Sequence, residues 1–168
     1  MTGTTSGAGH QNPARTTVQR VAMAVGIVFL LVGVAGFIPG LTSDYGDLSF
    51  AGHDSNAKLL GIFQVSILHN IVHLLFGVAG IAAARSWGAA RGYLIGGGAI
   101  YLVLWLYGLV IDQKSSANIV PVNTADNWLH FALGLGMIAL GLLLGRRRTI
   151  EPTGHDAIIG GRPRGEVR

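Results

Sequence analysis

Four apolar runs, each long enough to cross a bilayer as a helix, constrain this chain more than any other feature of it. The first, residues 21–38, holds no charged side chain and ends at Pro39-Gly40, the pattern of a spanning helix closed by residues that break helices. Runs over 59–84, 93–111 and 127–145 follow, the second stopped by Arg85 and the fourth by Arg146-Arg147-Arg148. Apolar side chains cluster in these runs instead of alternating with polar ones, so hydrocarbon is their expected solvent. The spacing predicts an all-α fold, a four-transmembrane-helix bundle over 18–145. The Gly, Ser, Thr and Ala of residues 1–17 and the Gly, Pro and charged residues of 146–168 predict flexible cytoplasmic tails, since neither has enough apolar surface to offset the entropy of ordering. Arg15 and Arg20 before the first run and Val34-Ala35-Gly36 at its end also have the layout of a secretory signal peptide, but the run is long for one.

Lysine and arginine decide orientation, because they are retained on the cytoplasmic side during insertion. Of the 12 in the chain, Arg15, Arg20, Arg85, Arg91, Arg146, Arg147, Arg148, Arg162, Arg164 and Arg168 fall on one side of the runs, and Lys58 and Lys114 on the other. Both termini are therefore expected in the cytoplasm of a bacterial cell, with the chain in its plasma membrane and the bilayer as its first partner. The net charge of +4 is a topology signal; no basic patch for nucleic acid is formed. Trp87, Tyr93 and Trp128 stand at the expected membrane boundaries. The absence of cysteine excludes disulfides, thiolate metal sites and cysteine nucleophiles.

The chain also resembles itself. His69-Asn70-Ile71-Val72-His73 through Gly77 matches Asp126-Asn127-Trp128-Leu129-His130 through Gly134, sharing Asn-x-x-His-x-x-x-Gly. Both copies lie in runs that descend from outside to inside, which suggests two repeated helical hairpins related by an axis along the membrane normal. The first and third runs do not align with each other at the same offset.

His69, Asn70 and His73 share one helical face, and with Gln64, Asn127 and His130 they are expected in the bundle interior, because lipid offers imidazole and amide groups no partner. Interhelical hydrogen bonding accounts for such residues most simply, with Gln64, Asn70 and Asn127 as structural polar groups. A sharper reading makes His73 and His130 axial ligands of a haem b in an electron-transfer protein. A weaker one gathers His69, His73, His130 and Asp126 around a metal ion; movement of a proton or solute along the polar face is a third. Small-residue pairs at Gly92-x-x-x-Gly96, Gly141-x-x-x-Gly145 and Ala22-x-x-x-Gly26 suit close helix packing inside the bundle or a homo-oligomer. Tyr101 and Trp105 have the spacing of aromatic packing or of a pocket wall. His10, His53 and His155 fall in tails and loop and are expected to be solvated.

Asn70-Ile71-Val72-His73-Leu74-Leu75-Phe76-Gly77-Val78-Ala79-Gly80 and Ala125-Asp126-Asn127-Trp128-Leu129-His130 resemble an uncharacterised family of four-helix membrane proteins from high-GC Gram-positive bacteria, over about Val18 to Gly145. The resemblance implies the helix count and the two Asn/His motifs, and carries no activity. A likeness to four-helix membrane proteins of the DoxX type is architectural only. No nucleophile and base, phosphate-binding glycine loop or carboxylate pair lies in a run, so an enzyme is not expected. Transport or assembly with a protein partner remains open.

Overall fold

The computed structural model describes residues 14–52, 54–115 and 118–146. The tail residues 1–13 and 147–168, and with them His10, His53, His155 and five of the arginines used for orientation, lie outside the described residues. Four helices follow in order: α1 (Thr17–Ala35), α2 (Ile67–Ala83), α3 (Trp87–Val110) and α4 (Thr124–Leu144). Side chains that take up free backbone N–H groups open three of them. Ser66 Oγ accepts from His69 N, Ser86 Oγ from Ala89 N and Asn123 Oδ1 from Asp126 N. By length and composition α1, α3 and α4 are long and apolar enough to cross a membrane, while α2 is a shorter apolar helix.

That shortness corrects the sequence reading of residues 59–84. The run is one apolar stretch but two structures: α2 begins only at Ile67, and 58–64 form a hairpin of β2 (Lys58–Leu59) and β3 (Phe63–Gln64). Leu60 and Gly61 in its turn have φ of 53° and 72°, outside any helix and easy only for the glycine. β1 (Thr42–Ser43) pairs antiparallel with β2 and completes a three-stranded sheet in the order β1-β2-β3, which amends the all-α expectation. Gln64, expected within the second span, lies on β3. At the opposite end, α3 starts six residues before Tyr93, leaving only Ala84-Arg85-Ser86 between α2 and α3.

The hairpin forms a roof tied to the start of α4. Asp126 Oδ2 accepts from Gln64 N and from Asn123 N, both at 3.0 Å, and Asn123 Nδ2 donates to Ile62 O at 2.8 Å. Gln64 Nε2 donates to Ser55 O, and Ser55 Oγ to Val65 O. Buried Ala57, Leu59 and Val65 form a small apolar core beneath these bonds.

Helices pack chiefly as two hairpins, α1 on α2 and α3 on α4, and in each the backbones meet at glycine. A Cβ on Gly26 would lie 2.8 Å from Gly77 O; one on Gly98 would lie 2.7 Å from Gly134 O. The same side chain then covers each descending glycine, Leu30 at Gly77 and Leu102 at Gly134. Likewise Asn70 packs its amide on Gly36, and Asn127 packs its amide on Gly108. Matched positions are 57 apart in α2 and α4 but 72 apart in α1 and α3. The first outer link simply holds 15 more residues, those of the roof, which is why no single offset aligns the ascending helices. Phe29 and Tyr101, also a matched pair, stack at 5.5 Å where α1 meets α3. Outward faces are apolar on every helix: Leu31, Leu75, Val103 and Leu143 are each more than 60% exposed.

Two measurements check this packing. Gly26→Leu drives a side chain into the Gly77 backbone and is expected to cost about 1–3 kcal/mol, whereas Gly92→Ala, where a Cβ meets nothing within 4 Å, is expected to gain about 0.5–1 kcal/mol through helix propensity; thermal unfolding in detergent reads both. Asp126→Ala removes the carboxylate oxygen that accepts from both Gln64 N and Asn123 N and is expected to cost about 3 kcal/mol, with hydrogen exchange rising in residues 58–66 while the glycine crossings of α1 and α2 stay protected.

Candidate functional site

Under the roof, α2 and α4 bring three imidazoles together. Capping by Ser66 sets the first turn of α2, and the helical repeat then carries His69 and His73 to the same face. Their ring centroids are 4.5 Å apart, and that of His130 on α4 is 6.5 Å from His69. Two of the rings are pinned by carbonyl oxygens. His69 Nδ1 lies 3.2 Å from Gln64 O and His73 Nδ1 lies 3.0 Å from His69 O. A carbonyl only accepts, so in the uncharged rings Nδ1 carries the proton and Nε2 keeps a lone pair.

The rings border a chamber of about 120 Å³. Leu59, Leu60, Phe63 and Val65 of the roof close it above, Val32, Leu129 and Leu133 at its sides, and His69, Asn70, His73, Asp126 and His130 supply its polar wall. Asn70 and His130 are both more than nine-tenths buried, yet Asn70 Nδ2 and His130 Nδ1 have no hydrogen-bond partner among the described residues. Leaving such a group unpaired costs about 1–3 kcal/mol. Asn127 Oδ1 and Trp105 Nε1 are unpartnered too, but neither residue borders the chamber.

Toward the middle of the helices the chamber is floored by rings. Phe29 lies 5.6 Å from His73, Tyr101 lies 5.3 Å from His130, and Phe76 packs on both Phe29 and Tyr101 at 5.3 and 5.6 Å. The polar face therefore ends at an aromatic layer. Tyr101 belongs to that layer, and Trp105 packs on Phe131 at 4.7 Å.

Each expected site residue can now be placed. His69, His73, His130 and Asn70 converge on the chamber. Gln64 and Asp126 border or support it mainly as ties of the roof, a role that sequence reasoning missed although the capping pattern Asn123-x-x-Asp126 was there to be read. A metal ion held by His69, His73, His130 and Asp126 has no support in the geometry: among the described residues no group of three or more such side chains is placed to hold one. His73 and His130, the expected haem ligands, border a chamber that is small beside the roughly 300–1,000 Å³ of sites that enclose larger ligands, and the His69 ring lies beside both. Of the small-residue pairs, Ala22 with Gly26 and Gly141 with Gly145 pack inside the bundle, and only Gly92 and Gly96 lie open.

Comparison with known proteins bears on family alone. No curated protein and no solved structure matches the sequence. Residues 19–143, from the first turn of α1 to the last turn of α4, match a family described as a domain of unknown function (DUF4383). The two hairpins, the roof and the three imidazoles all fall within that match, and the chain belongs to the DUF4383 family.

Proposed function

We propose that this chain is an integral protein of the bacterial plasma membrane that crosses it four times, with both termini in the cytoplasm, and that it binds a small molecule in the roofed chamber without catalysing a reaction. The observation that carries the reading is that His69, Asn70, His73 and His130 border one cavity, and that two of these buried residues, Asn70 and His130, each hold a nitrogen with no hydrogen-bond partner among the described residues. Groups that served only to join helices would have found each other. Membrane placement is supported by the apolar outward face of all four helices, opposite to the polar surface of a soluble bundle. Orientation rests on the lysine and arginine asymmetry. It puts the roof and the chamber near the outer surface, and the short α2–α3 turn with Arg85 inside.

Because the chain has no cysteine, single introduced cysteines report topology without background. Asp47→Cys and Lys114→Cys are expected to react with an impermeant maleimide in intact cells, and Ser6→Cys and Thr153→Cys only after permeabilisation; the reverse pattern overturns the orientation. Binding and structural roles of Asn70 separate on stability. In ligand-free detergent Asn70→Leu is expected to melt no lower than the parent, since it replaces an amide whose nitrogen is unpartnered with an apolar group of similar shape. A loss of about 1 kcal/mol or more would return Asn70 to the hydrogen bonding of the fold.

A further inference from the structure

A second cavity, of about 370 Å³, runs between α1 and α4 along Val25, Val28, Phe29, Leu133, Gly136 and Leu140. It adjoins the chamber: Val32, His73, Leu129 and Leu133 border both. Its walls are apolar, and it opens on the outward face, where Val28 is more than half exposed. The pseudo-symmetry of the two hairpins explains why it exists. The matching groove lies between α2 and α3, and there Phe76 and Tyr93 fill it, their rings 5.6 Å apart and the Tyr93 hydroxyl donating to Phe76 O. At the corresponding positions α4 and α1 carry Leu133 and Val21, which are too small to close the gap. One half of the molecule is plugged with its own side chains, and the other is left with a slot that reaches His73 and adjoins the chamber bordered by the three imidazoles.

We infer that the slot and chamber together hold one molecule, an uncharged lipid with a hydroxyl head, its chain between α1 and α4 and its head among His69, Asn70, His73 and His130. The inference rests on the membrane reading given above. The head is identified by what the chamber lacks. His69 and His73 each spend Nδ1–H on a backbone carbonyl and retain a lone pair on Nε2, while Asn70 Nδ2 is a donor without a partner. A hydroxyl answers both, giving its proton to an imidazole and accepting from the amide. Charged heads are disfavoured. No lysine or arginine borders the chamber to pair with an anion, and Asp126, which alone of the described lining residues carries charge, already has Oδ2 engaged by two N–H groups of the roof.

The test uses the full chain in nanodiscs and hexadecanol bearing a mid-chain diazirine, with hexadecanoate, hexadecylamine and hexadecylphosphocholine carrying the same group as probes of other heads. Expected is photolabelling of α1 and α4 by the alcohol that saturates and is displaced by unlabelled hexadecanol. Gly136→Phe with Leu133→Phe should abolish it; both residues line the slot, and a Cβ at Gly136 meets nothing within 4 Å. Asn70→Leu and His130→Ala should each weaken competition about tenfold. Labelling that does not saturate, that is as strong with a charged head, or that survives the slot-filling pair overturns the inference. Cysteine labelling of the same nanodiscs separates the two readings, because a wrong topology condemns the membrane assignment, whereas a correct topology without saturable labelling condemns only the lipid.

Discussion

Where Gly26 meets Gly77 and Gly98 meets Gly134, two pairs of helix backbones approach so closely that no side chain fits between them, and the rest of the interior is placed by those crossings. In the proposed membrane setting the hydrophobic effect offers little to choose one packing over another, so close van der Waals contact and interhelical polar groups do the selecting. One turn above each crossing stands a histidine, and nearly one turn further an asparagine whose amide rests on a third glycine, Gly36 or Gly108. Shifting either crossing by a turn would carry the histidines out of the chamber and the asparagines off the glycines that make room for them.

The same plan, used twice, gives different results in its two halves. Matched positions hold Asn70 and Asn127, His73 and His130, Phe29 and Tyr101, but His69 is matched by Asp126, and Phe76 by Leu133. The first exchange assigns one half to the chamber wall and the other to the roof tie. The second plugs one inter-hairpin groove and opens the other. Function, in this view, lies in the departures from the repeat, while the repeat itself supplies the frame.

Helix number and the identity of the inward polar residues were legible in the sequence because both follow from composition along the chain: charge-free runs, and polar residues inside them that lipid cannot satisfy. The inner half of the repeat was legible for the same reason. What could not be read was the break at Ser66. Leu59, Leu60, Ile62, Phe63 and Val65 are as apolar as any helix in the protein, and hydropathy does not record that Leu60 and Gly61 turn the chain with positive φ. Asp126 was misjudged in a similar way, since a carboxylate beside histidines suggests a metal until its partners are seen to be two backbone N–H groups. The slot between α1 and α4 is a property of volumes at matched positions, visible only once the 72-residue offset of the ascending helices is known.

The length of α2 has a consequence for the bilayer itself. Seventeen residues of α-helix rise about 25 Å, short of the roughly 30 Å of hydrocarbon that a span must cross, and in the proposed membrane placement the β2–β3 roof makes up the missing height. Non-helical backbone at such a depth is tolerated only when its polar groups are satisfied by protein; the roof's bonds to Asp126 and Asn123 meet that condition, while Leu60 and Ile62 turn exposed apolar side chains outward. With the chain in a membrane, the roof is then a wetted boundary shared with lipid tails, and its fit changes with hydrocarbon thickness while the longer α3 adapts by tilting. Thick, ordered lipid would press on one side of the molecule, over the chamber, and leave the opposite side undisturbed.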